Sequence, residues 1–144
     1  MNSARWATSI VALASLCTPA AQASVPKLHF DGLYCCTRDA EIVGTARFYL
    51  RFYPDGVVLS TVSIGTPAQV AKWLIRSKQQ HFHYSVSGTS LHLQDENGGH
   101  IFLYSGTIHA GYLTMIVDRY DTATRESMGS VERRYEFTPI AMQP

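Results

Sequence analysis

The chain has 144 residues, with 12 Lys and Arg against 11 Asp and Glu and a formal charge of +1. At 46% hydrophobic and 16% charged residues it is too apolar for intrinsic disorder, and its length suits one domain. The near-zero charge lacks the basic footprint of a nucleic-acid-binding protein, and no apolar run reaches the roughly 18 residues of a membrane-spanning helix.

Residues 1–23 read as a signal peptide. Arg5 supplies the positive start, the run from Ile10 to Leu16 is apolar, Thr18-Pro19 breaks it, and Ala21-Gln22-Ala23 gives the small-x-small cleavage pattern. An amphipathic first helix is the competing reading. A lipoprotein leader acylated at Cys17 is disfavoured because Leu16 stands where such leaders carry a small residue. Cleavage after Ala23 leaves residues 24–144 as a single β-barrel domain, exported to the periplasm or secreted.

Cys35 and Cys36 follow early in that domain. Adjacent Cα atoms lie about 3.8 Å apart, below the usual disulfide range of about 4.4–6.8 Å, and on a strand the two side chains point to opposite faces. Three readings stay open: two thiols with one in the core, a strained redox-active bridge, and a disulfide dimer through Cys35 or Cys36.

The clearest pattern comes next. Ala46, Phe48, Leu50 and Phe52 alternate with Arg47, Tyr49, Arg51 and Tyr53, the period of a strand. Pro54-Asp55-Gly56 supplies a turn, and the β-branched run Val57–Ser63 returns, so the two form a hairpin. Thr66, Pro67 and Gln69 then spell a capping box, with Val70, Trp73 and Leu74 at helical spacing. The spacing predicts a helix of about three turns that leans these three residues on the sheet, at the rim of the barrel.

Beyond residue 81 the chain reads as strands again: 81–86, 90–94, 101–105, 112–120 and 131–137, separated by Ser87-Gly88, Asn97-Gly98-Gly99, His109-Ala110-Gly111 and a polar loop over 121–130. With Gly32–Cys36 at the front, about eight strands are expected. Neighbouring hairpins make an antiparallel meander, and closure into a small barrel removes its exposed edges.

Two segments resemble lipocalin-like (calycin-type) barrels. Phe30-Asp-Gly-Leu-Tyr34 is similar to the Gly-x-aromatic start of their first strand, with Tyr34 where typical lipocalins carry Trp. Tyr49-Leu-Arg-Phe-Tyr-Pro-Asp-Gly-Val-Val58 is similar to hairpins of small lipocalin-like domains. The resemblance covers about a third of the expected mature chain. It implies an up-and-down barrel that binds an apolar ligand at its open end.

No G-x-S-x-G, H-E-x-x-H or phosphate loop is present, so the chain reads as non-catalytic and without a cofactor. If Ser87-Gly88 is a two-residue turn, His83 faces His92, with His81, His83 and His92 on one face and Phe82, Tyr84, Leu91 and Leu93 on the other. Three imidazoles could hold Zn²⁺ or Cu²⁺. A solvated strand face accounts for them better, and no metal is assigned.

The aromatics are the most suggestive feature, since all six Phe and all eight Tyr lie beyond residue 23. Phe48, Phe52, Phe82, Tyr84, Phe102, Tyr104 and Phe137 are expected to point inward. They either line an apolar ligand cavity or fill a solid barrel. In the second case the outer face of the first hairpin, Arg47, Tyr49, Arg51 and Tyr53, is the candidate surface for a protein partner, since Arg and Tyr are enriched at interfaces.

Overall fold

A computed structural model describes residues 23–40 and 44–141, with side chains outside 37–45. The expected leader lies outside the described residues apart from Ala23.

The domain is all-β: eight antiparallel strands in sequence order close into a barrel, with one short helix. The strands are β1 (Gly32–Ala40), β2 (Gly44–Phe52), β3 (Val57–Ser63), β4 (Phe82–Ser87), β5 (Ser90–Asn97), β6 (His100–His109), β7 (Tyr112–Asp121) and β8 (Ser127–Pro139). Glycines with positive φ sit in the tight connections, Gly56 at +85° in the first hairpin and Gly98 and Gly99 at +58° and +77° between β5 and β6.

Two seams are short. β3 meets β4 only at Val57↔His83 and Val58↔Phe82, and β1 meets β8 only from Gly32↔Pro139 to Cys35↔Glu136. The ladders between β5, β6 and β7 run much further, from Ser90↔Thr107 to Asn97↔His100 and from His100↔Asp121 to His109↔Tyr112. The barrel is therefore firmly shut at the end where β1 begins and loosely shut at the other.

The second hairpin corrects the expected register. Ser87 pairs with Ser90 and Tyr84 with Leu93, so the turn is Gly88-Thr89 rather than Ser87-Gly88. Gly88, at φ +61°, takes the first central position, the demand of a type II′ turn. The slip moves His92 opposite Ser85, yet the faces are kept: Leu91 and Leu93 are buried while His83 and His92 are exposed.

The helix α1 spans Pro67–Ala71, shorter than its spacing predicts. Its capping box forms, with Thr66 N donating to Gln69 Oε1 at 2.8 Å and Gln69 N to Thr66 Oγ1 at 3.3 Å. Just beyond its end, Arg51 Nη1 donates to the carbonyls of Ala71 and Leu74, at 3.3 and 3.0 Å. The Ala71 carbonyl is one that a continuing helix would use for its next turn.

α1 also lies on the outer wall of the barrel rather than at its rim. Val70, Ala71 and Leu74 pack on Leu33, Tyr49 and Leu59, outward residues of β1, β2 and β3, and form an apolar cluster separate from the barrel interior. Trp73 stays 37% exposed instead of joining them. This small second layer stabilises the β1–β3 side of the wall by covering apolar surface there.

Candidate functional site

Strand alternation sends one residue in two into the barrel, and all seven expected aromatics belong to that interior set. They divide by depth into two groups with different tasks.

Phe52, Tyr84 and Phe137 close one end. Phe52 stands edge-on to Tyr34 and Tyr84 at centroid distances of 5.6 and 5.0 Å, Tyr34 meets Phe137 at 5.1 Å, and His29 stacks on Phe137 at 4.4 Å. The polar atoms of this plug are satisfied: Tyr84 donates its hydroxyl to the Tyr53 carbonyl at 2.7 Å, and the Tyr34 hydroxyl accepts from His29 N at 3.0 Å. These three expected ligand residues therefore form the packed floor.

Phe48, Phe82, Phe102 and Tyr104 line a cavity of about 940 Å³ at the other end, with Cys36, Leu50, Asp95, Val117, Arg119, Arg133 and Tyr135. Its mouth lies where the short seams leave strands apart, beside Val62 of β3, Gln79 and Gln80 before β4, and Met128 and Val131 of β8. A volume near 940 Å³ is at the upper end of the roughly 300–1,000 Å³ typical of small-molecule sites.

Polar groups inside the cavity were not anticipated. Arg133 pairs with Met115, which is buried, so its side chain points inward in phase with Tyr135. Its guanidinium lies over the Phe48 ring at 3.8 Å, a cation–π contact. It also stands beside the hydroxyls of Tyr104 and Tyr135, lowering both phenols, although burial dominates and holds both above the ordinary range. The signal was present in Val131-Glu-Arg-Arg-Tyr-Glu-Phe137, where period two sets Arg133 on the face of Val131, Tyr135 and Phe137.

Nearer the mouth, Asp95, Phe102 and Arg119 form a row across β5, β6 and β7. Arg119 Nη2 donates to His100 Nε2 at 2.6 Å. Asp95 is 7% exposed, and its Oδ1 meets no hydrogen-bond partner among the described residues. Burial raises its pKa, a backbone contact at Glu96 countering only in part.

That shift has a sign. The unfolded carboxyl ionises near 3.8 and the folded one at higher pH, so between the two the native state binds more protons. Stability contributed by this group is present below the unfolded value and is lost as pH rises through the folded one. Asp95→Asn is expected to flatten that decline, which urea unfolding at a series of pH values would measure. An unchanged slope would count against a buried, neutral Asp95.

Cys36 points into the cavity and Cys35 outward, toward the cluster under α1. Both are thiols, and burial pushes both upward in pKa, away from the reactive thiolate. Cys36 is buried in the cavity lining, and Cys35 is half-buried against the cluster under α1.

The outer stripe of the first hairpin is largely occupied. Tyr49 is fully buried and donates its hydroxyl to the Gly65 carbonyl at 2.6 Å, Arg51 caps α1, and Tyr53 is flanked by the guanidinium groups of Arg51 and Arg76 at 5.7 and 5.1 Å. Arg47, half-buried, contacts the Tyr49 hydroxyl. Part of what this stripe would offer a partner is thus taken up within the chain, while Arg51 Nε has no hydrogen-bond partner among the described residues.

His83 and His92 share a hollow of about 520 Å³ on the outer face of β4–β7, while His81 Nδ1 lies 3.3 Å from the Gln79 carbonyl. Among the described residues, no three His, Cys, Asp or Glu side chains gather as metal ligands would.

Compared with known proteins, the chain matches no family model, no curated protein and no solved structure.

Proposed function

We propose that this protein is a non-catalytic carrier or sensor that takes a small, largely apolar ligand into the loosely closed end of its barrel. The observation that carries the reading is the cavity of about 940 Å³ lined by Phe48, Phe82, Phe102 and Tyr104. Aromatic side chains can hold the apolar part of a small molecule while polar groups among them fix its orientation, and a packed floor opposite a wide mouth gives such a site one way in. The leader-like residues 1–23 support a place outside the cytoplasm, in the periplasm or secreted.

The competing use of the domain, docking a protein on Arg47, Tyr49, Arg51 and Tyr53, loses support because α1 and its cap take up most of that stripe.

A neutral environment-sensitive dye such as Nile red tests the proposal. Its emission is expected to shift to the blue and saturate on titration of the protein. Phe102→Ala, which removes one wall of the cavity, is expected to weaken binding by about 1.4 kcal/mol, or about tenfold. Absence of any saturable response from folded protein, together with native mass spectrometry that finds no retained small molecule, would overturn it. Trp73 fluorescence is not the readout, because that indole lies on the outer wall away from the mouth.

A further inference from the structure

An arginine inside a barrel is expensive unless its charge finds a partner. Arg133 is half-buried among the aromatic rings of the cavity, and no carboxylate among the described residues forms an ion pair with it. Its described company is the Phe48 face and the hydroxyls of Tyr104 and Tyr135. Of the two acids on the cavity lining, Glu132 is exposed on the outward phase of β8, paired with the exposed Ile116, and Asp95 lies in the row of Phe102 and Arg119, held toward its neutral form by burial. The cavity thus presents a guanidinium beside hydrogen-bond donors, with no carboxylate paired to it among the described residues.

A guanidinium offers five N–H donors in a plane that matches a carboxylate two-fold, and two tyrosine hydroxyls beside it can donate to the same oxygens. Apolar side chains also reach the solvent, among polar ones such as Gln79, Gln80 and Ser130. Val62, Met128 and Val131 at the mouth are 55%, 50% and 46% exposed, an unusual lip for a wholly polar ligand. Arg119, the other cation of the cavity, lies in the row nearer the mouth and gives one N–H to His100, so a head seated between Tyr104 and Tyr135 meets the Arg133 guanidinium first.

We propose that the ligand is an amphiphile carrying one carboxylate, bound head-inward on Arg133 with Tyr104 and Tyr135, its apolar part lying along Phe82 and Phe102 toward the mouth. This rests on the cavity being a ligand site, the reading given above.

The test is displacement of Nile red from the full-length protein by decanoate, decanol and decyl phosphate at neutral pH. Decanoate is expected to compete at about tenfold lower concentration than decanol, the preference that a charge-assisted contact supports. Arg133→Met is expected to bring the two within about twofold of each other, and Arg133→Lys to restore part of the preference, since an ammonium keeps the charge but not the planar pair. Equal competition by decanoate and decanol in the wild type would overturn the carboxylate assignment while leaving a ligand cavity in place. Stronger competition by decyl phosphate would overturn it in favour of a dianion. Failure of both the dye and decanoate to bind folded protein would overturn the cavity reading and this one together. Should Arg133→Met fail to fold, the wild-type ratio and the Lys variant decide the matter.

Discussion

Replacing Phe52 by alanine is expected to cost about 3–5 kcal/mol of folding stability and to leave Nile red binding within about twofold of wild type. Phe52 is 1% exposed and sits between Tyr34 and Tyr84, edge-on to both. Removing its ring deletes the buried apolar surface and opens a void between two rings whose own positions are held by hydrogen bonds, Tyr84 to the Tyr53 carbonyl and Tyr34 from His29 N. Those bonds resist the collapse that would refill the space, which places the loss toward the upper part of the range. The dye site lies at the opposite end of the barrel, beyond the plug. Denaturant unfolding and dye titration on the same preparation separate the two effects. A stable Phe52→Ala variant with altered dye binding would mean that the floor is part of the site.

The division of labour between Phe52 and Phe48 shows what a sequence of this kind can and cannot disclose. Both fall on the inward phase of β2, and period two reveals that much without a structure. Depth along the barrel axis is different. It depends on how each strand is staggered against its neighbours, a property of the closed sheet rather than of any one segment. Tyr84 and Tyr104 illustrate the same point, since one ends in the floor and the other in the cavity wall. The helix end is a related case: Val70, Trp73 and Leu74 have helical spacing, but the carbonyls of Ala71 and Leu74 are met by Arg51, about twenty residues earlier in the chain, a contact that local spacing cannot reveal. Arg133 was legible and passed over, because a charged residue on a strand is ordinarily assigned to the solvent face. Its phase with Tyr135 and Phe137 says otherwise.

Gly106 should tolerate no side chain, and Gly106→Ala is expected to lose on the order of 3 kcal/mol or to prevent folding. Strand interiors ordinarily disfavour glycine, which packs nothing and loses the most backbone freedom on folding. Here it lies between Tyr104 and Ile108, two buried residues of the inward phase of β6, and pairs with Met115. A Cβ at this position would collide with the Thr114 carbonyl oxygen and come within 3.0 Å of both the Cα and the Cγ of Met115. Two of the three obstacles are backbone atoms in the β6–β7 ladder, which cannot rotate aside as a flexible side-chain end would. Relief would therefore require parting the ladder that joins His100↔Asp121 to His109↔Tyr112, the longest described seam of the barrel. Met115 also pairs with Arg133 on its other side, so displacing β7 would carry the interior guanidinium away from Phe48. Gly106→Ala is thus expected to lower the unfolding midpoint and, in any protein that remains folded, to weaken the preference for decanoate over decanol. Alanine accepted with an unchanged midpoint would show that β6 and β7 are not held at this close approach.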